Sequence, residues 1–339
     1  MRRDPGVVVG LFLILASVSC ERLPTGPAAS GDHVFRGIVF ADWTADGYAD
    51  PAAAGELVGV AGTGAGIAAL LVTAYQSDAR SAVVNSDHPT TPTPAAVDAA
   101  VTAGKLLGLD IALKLHVDLE DGSWRGTIDP SEPDAWFASY REFILPWADF
   151  AESRGLALFM VGTELAGTIR YESRWRELIS ETRDRFSGTL VYAASWDEAG
   201  KVPFWDAMDL VGVDFYLPVA RRREPGRTEI LAEWQPWLDR LHRLHSQTER
   251  EILFTEIGYR SVDGAGMHPY SFEDTPAIDL EEQADLYWAA LQAAADEDWV
   301  AGFFWWNWLA NGNGGSADRD YTPKGKPAEN ELTLAWSGS

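Results

Sequence analysis

The chain has 339 residues, 46% of them hydrophobic, enough to bury a sizeable core as one large α/β barrel or as two ordinary domains. A formal net charge of −24 and a pI near 4.5 argue against any partner that is itself a polyanion, because phosphates and anionic head groups are held by basic patches. Nucleic acid is therefore not an expected partner.

In chain order, the first signal lies at the N-terminus. Arg2 and Arg3 precede an apolar run from Val7 to Leu15, then small residues Ala16, Ser17 and Ser19, then Cys20, the single cysteine of the chain. This is the pattern of a secretory signal, and the run is shorter than the ~20 apolar residues of a permanent membrane span. A cysteine directly after small residues resembles the bacterial lipoprotein site. That resemblance implies residues 1–20 as signal peptide and Cys20 as the lipidated first residue of an extracytoplasmic protein. The alternative is an ordinary signal peptide with an incidental cysteine and a secreted product. Residues 21–32, rich in Pro, Gly and small side chains, read as a tether. One folded domain is expected over 33–339.

From there short β-rich apolar runs alternate with longer helical patterns. Strands are predicted at Arg36 to Phe40, Ile67 to Val72, Asp110 to Leu115, Leu156 to Val161, Thr189 to Ala194, Leu210 to Asp214, Glu251 to Thr255 and Val300 to Trp305. Helical spacing of apolar residues marks Pro94 to Leu107, Ala135 to Arg154, Arg174 to Phe186, Thr228 to Gln247 and Leu280 to Glu297. The first and fifth connections carry a weaker helical signal. Eight strand-then-helix units without a second composition regime predict a single (β/α)8 TIM barrel.

In that fold reactive groups sit where strands end and βα loops begin. Glu164 follows LALFMVGT and Glu256 follows EILFT, each a charge interrupting an apolar strand end, where it is costly unless paired or facing a cleft. Strands four and seven face each other across a barrel mouth. Two carboxyls converging there are what a retaining glycosidase uses, one to attack the anomeric carbon and one to protonate the leaving oxygen. Either glutamate alone could equally be a structural ion-pair partner. Strand three adds Lys114, His116 and Asp118, followed by Trp124 and Arg125 in a Gly-containing loop; strand six ends in Asp214, Phe215 and Tyr216; strand eight ends in Trp305, Trp306, Asn307 and Trp308. Sugars present hydroxyl edges to polar side chains and C–H faces to aromatic rings, so this mixture, in a chain with 15 Trp, suits a saccharide.

Three other patterns carry less. Gly62, Gly64 and Gly66 imitate part of a dinucleotide fingerprint but precede a strand rather than follow one. His242 and His245 share a helix face without a third metal ligand. Asp318 and Asp320 fit no calcium loop. No cofactor and no obligatory metal are expected.

The segments KLHVDLEDGSWRG, VGTEL, VGVDFYLPV, FTEIGYRS, FFWWNW and YTPKGKPAE together resemble glycoside hydrolase family 113, a β-mannanase family of clan A, from Arg36 to Lys326. The resemblance implies Glu164 as acid/base and Glu256 as nucleophile. It also implies that Lys114, His116, Trp124, Arg125, Tyr216 and Trp305 or Trp306 line the sugar site. Many clan members place Asn before the acid/base, where this chain has Thr163. The expected activity is endo-β-1,4-mannanase action on mannan or glucomannan, by a monomer. Exo action, another neutral β-glycan, or a non-catalytic surface glycan-binding lipoprotein remain the alternatives.

Overall fold

A computed structural model describes residues 35–271 and 275–337. Cys20, the apolar run before it, the tether and the predicted domain start at His33 lie outside the described residues. Eight strands follow one another: β1 Phe35–Ala41, β2 Ile67–Gln76, β3 Asp110–Leu119, β4 Leu158–Thr163, β5 Thr189–Ser195, β6 Leu210–Phe215, β7 Ile252–Ile257 and β8 Val300–Leu309. Each pairs in parallel with the next and β8 pairs with β1, closing the expected (β/α)8 barrel.

Side-chain alternation divides the core in two. Val39, Ala69, Leu71, Ala112, Met160, Val191, Leu253 and Phe304 pack inside the barrel, while Ile38, Phe40, Leu70, Leu113, Phe159, Phe254, Phe303 and Trp305 face the helices. β2 and β3 run past their predicted ends at Val72 and Leu115, staying in register through Thr73 with His116 to Gln76 with Leu119. Their apolar signal stops early because the inward residues turn polar at the barrel mouth, not because the ladder ends.

The helices are α1 Pro51–Gly62, α2 Pro94–Leu106, α3 Pro133–Ser153, α4 Glu172–Arg183, α5 Arg227–Thr248, α6 Leu280–Ala294 and α7 Pro327–Trp336. α1 fills the first connection, whose periodic signal is weak because Ala and Gly dominate it. Its start is explicit, since Asp50 caps Ala52 N–H and Pro51 occupies the first turn. Gly59 is required there: a Cβ would lie 2.5 Å from the Trp308 ring. The fifth connection holds only short 3-10 turns at Ala199–Lys201 and Trp205–Ala207. Pro203, between them, opposes continuous helix. His242 and His245 both pack against the Trp299 ring.

The loops after β7 and β8 are tied together and wall one side of the barrel mouth. Glu282 accepts from the N–H groups of Gly264 and Gly266, Tyr321 donates its hydroxyl to the Pro269 carbonyl, and buried Lys326 joins Ser261 to Asp318.

Candidate active site

A cavity of about 710 Å³ opens at the C-terminal ends of the strands. Asp118, Trp124, Arg125, Glu164, Tyr216, Glu256 and Trp306 line it, with Trp196 and Asp197 after β5 and Tyr270 and Tyr321 from the tied loops.

Three inward residues of β3 sit at successive depths. Lys114 is deepest, His116 lies above it, and both are essentially inaccessible, at 0% and 1% exposure, whereas Asp118 reaches the cavity. Lys114 Nζ stands 3.2 Å from Asp214 Oδ1 and 3.0 Å from Glu256 Oε1. His116 Nε2 is 3.4 Å from the same Glu256 oxygen. The Tyr216 hydroxyl donates to Glu256 Oε2 at 2.7 Å. Glu164, directly after β4, accepts on Oε2 from Trp124 Nε1 at 3.0 Å and Arg125 Nη1 at 3.2 Å. Arg125 also donates through Nε to Asp118 Oδ1 at 3.0 Å.

These surroundings treat the two carboxyls oppositely. Burial raises the pKa of Glu164; the Arg125 charge pulls against it, the negative charge of Glu256 adds to it, and the net shift is upward. Burial also works against ionised Glu256, but Lys114, the His116 contact and Arg125 outweigh it and hold this carboxyl well below its usual range. His116 itself falls to about 4, chiefly through burial and then the Arg125 charge, so it is neutral at neutral pH. Beneath them Asp214 is pushed well up by burial and by the Glu256 charge. Environments that drive two neighbouring carboxyls apart in this way divide an acid from a base or nucleophile.

The structure brings Trp124, Arg125, Glu164, Tyr216, Glu256 and Trp306 to one cavity. It departs from the expected lining at three positions. Lys114 and His116 lie below the cavity surface and brace Glu256. Trp305 is 0% exposed and stacked on Tyr287, ring centroids 3.9 Å apart, on the helix side of the barrel. It shares the outward parity of Phe303. Trp306, with the inward parity of Phe304, faces the cavity, stacked on His116 at 6.0 Å and met by the edge of Trp43 at 6.3 Å. Thr163 turns its hydroxyl to the Leu115 carbonyl at 3.0 Å and is fully buried. Sequence reasoning did not single out Trp196, Asp197, Tyr270 or Tyr321. The first two directly follow a strand, a usable signal, and Tyr321 opens the YTPKGKPAE segment; Tyr270 carries none.

The sequence matches the model of Glycoside Hydrolase Family 113 over residues 39–326. Among solved structures it is similar to a GH113 β-1,4-mannanase at 27% identity, covering 91% of this chain and 100% of that chain with a TM-score of 0.83. It is also similar to GH113 β-mannanase AaManA from Alicyclobacillus acidocaldarius, solved in complex with ManMIm, at 26% identity, 90% and 97% coverage and a TM-score of 0.83. A Faecalibacterium prausnitzii β-glucuronidase, 13% identical over 90% of this chain and 49% of that chain with a TM-score of 0.60, shares the fold alone. No curated protein matches the chain. The family match spans nearly the whole barrel and includes every strand end that contributes to the cavity, so the chain belongs to glycoside hydrolase family 113.

Proposed function

We propose that this glycoside hydrolase is a β-mannanase that cleaves β-1,4-linked mannan or glucomannan with retention of configuration. The observation that carries the reading is the pair of carboxyls held in one cleft with opposite pKa shifts. Glu256, kept ionised by Lys114, attacks the anomeric carbon. Glu164 holds a proton and gives it to the leaving oxygen. Trp124 and Arg125 both occupy Oε2, which leaves Oε1 to carry that proton. Once Glu256 is esterified its negative charge is gone, and with it one of the causes that raise Glu164. The same side chain then accepts a proton from water, which releases the sugar.

Trp306 offers its face to the sugar ring as the floor of the site. A neutral sugar suits the charges. Among the described residues lining the cavity Arg125 is the one cation, and it is already committed to Asp118 and Glu164. A uronic acid would find no uncommitted cation among these residues. The mannose preference is supported by the β-mannanase identity of the two family neighbours.

Azide separates the roles. Glu256→Ala acting on an activated β-mannoside should yield the α-mannosyl azide, and Glu164→Ala the β-azide. The opposite pattern reverses the assignment, and an inverted wild-type product refutes retention. Product release from mannans, glucans and xylans tests the substrate. The proposal extends to surface attachment through lipidated Cys20, supported by its place after the apolar run. Among the described residues no helix is long and apolar enough to cross a membrane.

A further inference from the structure

Glu164 is one of three non-glycine residues with positive φ among the described residues, at 52°. The other two are exposed: Glu224 lies in a loop, and Glu249 caps the C-terminus of α5, where a left-handed residue is ordinary. Glu164 is buried, and such a conformation persists only where neighbours over-determine it.

The neighbours responsible are on β5. The pairing of β4 with β5 slips between Met160 and Thr163, a bulge that re-aims the residue after it. Glu164 N–H then donates to the Ala193 carbonyl at 2.7 Å, and the next N–H, of Leu165, donates to the Tyr192 hydroxyl at 2.9 Å. That hydroxyl donates its own proton to Glu198 Oε1 at 2.7 Å. Glu198 is 2% exposed, lines no part of the cavity, and turns its other oxygen toward Ser195 N–H at 3.4 Å. Burial pushes it up to about 7, against the pull of Tyr192 and Ser195, with the charge of Glu164 adding. An apolar side chain could fill this place without the cost of desolvating a carboxyl, so stability alone does not account for it.

A hydroxyl has one proton and two lone pairs. With its proton committed to Glu198, Tyr192 must present a lone pair to Leu165 N–H. Without that commitment the proton is free to turn and the N–H loses its directed acceptor. We propose that Glu198 is a positioning residue for the acid/base: through the Tyr192 hydroxyl it orients the acceptor that holds Leu165 N–H and fixes the backbone from which Glu164 reaches the cleft. The inference rests on Glu164 being the acid/base.

The test compares kcat/KM on a manno-oligosaccharide, whose leaving group needs a proton, with kcat/KM on 2,4-dinitrophenyl β-mannobioside, whose leaving group does not. Glu198→Ala should lose about ten-fold or more on the oligosaccharide, since a misplaced general acid forfeits part of a 10²–10⁴-fold contribution, and should stay within about two-fold on the aryl glycoside. Glu198→Gln, which keeps an oxygen facing Tyr192, should recover most of the loss. Tyr192→Phe should match Glu198→Ala, and the double variant should lose no more than Tyr192→Phe alone. If Glu198→Ala fails to fold, Tyr192→Phe, which keeps the ring, carries the same comparison. Equal losses on both substrates, or additive losses in the double variant, overturn the proposal. Glu164→Ala on the same two substrates checks the reading beneath it: loss on the aryl glycoside as well would show that Glu164 is not the acid, whatever Glu198 does.

Discussion

Replacing Lys114 with Met keeps an unbranched side chain one atom shorter and removes one charge from beneath Glu256. At 3.0 Å and an effective dielectric of ~20, that ion pair amounts to about 5.5 kcal/mol. Asp214 relaxes part of the loss: burial and the Glu256 charge already push its carboxyl up, so without the lysine it takes a proton and adds no second negative charge. If only a quarter of the interaction survives that relaxation, about 1.4 kcal/mol remains, which is one pH unit. The sign follows from the charge. Losing a cation disfavours the carboxylate, so Glu256 becomes ionised only at higher pH, and the acidic limb of kcat/KM moves up by about one unit or more. The Lys114 charge also lowers Glu164, though more weakly than Arg125 does, so the alkaline limb moves up less and the profile narrows. The assay is kcat/KM on a soluble manno-oligosaccharide from about pH 2 to about pH 9 at constant ionic strength. Thermal melting of the same preparation establishes that the variant is folded. A folded variant whose acidic limb stays in place or moves down would refute the electrostatic account of Glu256.

Other outcomes follow from the same geometry. Trp306→Ala should lower kcat/KM by one to two orders of magnitude with little change in Tm, whereas Trp305→Ala should cost about 3–5 kcal/mol of stability by opening a cavity against Tyr287. Matched assays on folded protein separate the two, and interchanged effects would contradict their placement. Tyr216→Phe removes the hydroxyl that donates to Glu256 and should reduce kcat/KM roughly 10- to 100-fold, the usual worth of a hydrogen bond to a charged group; activity within two-fold of wild type would deny that bond a role. Separately, the proposed lipidation of Cys20, which rests on the N-terminal sequence pattern and not on the structure, predicts that Cys20→Ser moves the protein from the membrane fraction to the soluble fraction; a variant still bound to membranes would place the anchor elsewhere.

Much of the architecture could be read from local pattern. The eight apolar runs fall on the eight strands because strand burial has a period of two and helix burial a period near 3.6, and both survive in a single sequence. Glu164 and Glu256 stood out because each places a charge where the apolar run predicts none. The same alternation already contained the answer for strand eight: Phe304 and Trp306 share one parity, Phe303 and Trp305 the other. Which parity faced inward was unmarked, since both faces of a barrel strand are apolar.

Depth and loop geometry depend on distant parts of the chain. Lys114, His116 and Asp118 look equivalent as alternating polar residues of β3, yet barrel closure sets the first two below Glu256 and leaves the third at the surface. Tyr270 and Tyr321 reach the cavity from loops whose shape depends on remote partners, among them the bond from Tyr321 to the Pro269 carbonyl, 52 residues away. The pKa separation of the two carboxyls has the same origin. Periodicity can mark a glutamate at a strand end, but whether it is lowered or raised depends on Lys114 lying 3.0 Å from Glu256 while Glu164 takes its main counter-charge from the shared Arg125, and those distances exist only once β3, β4 and β7 have closed into one barrel.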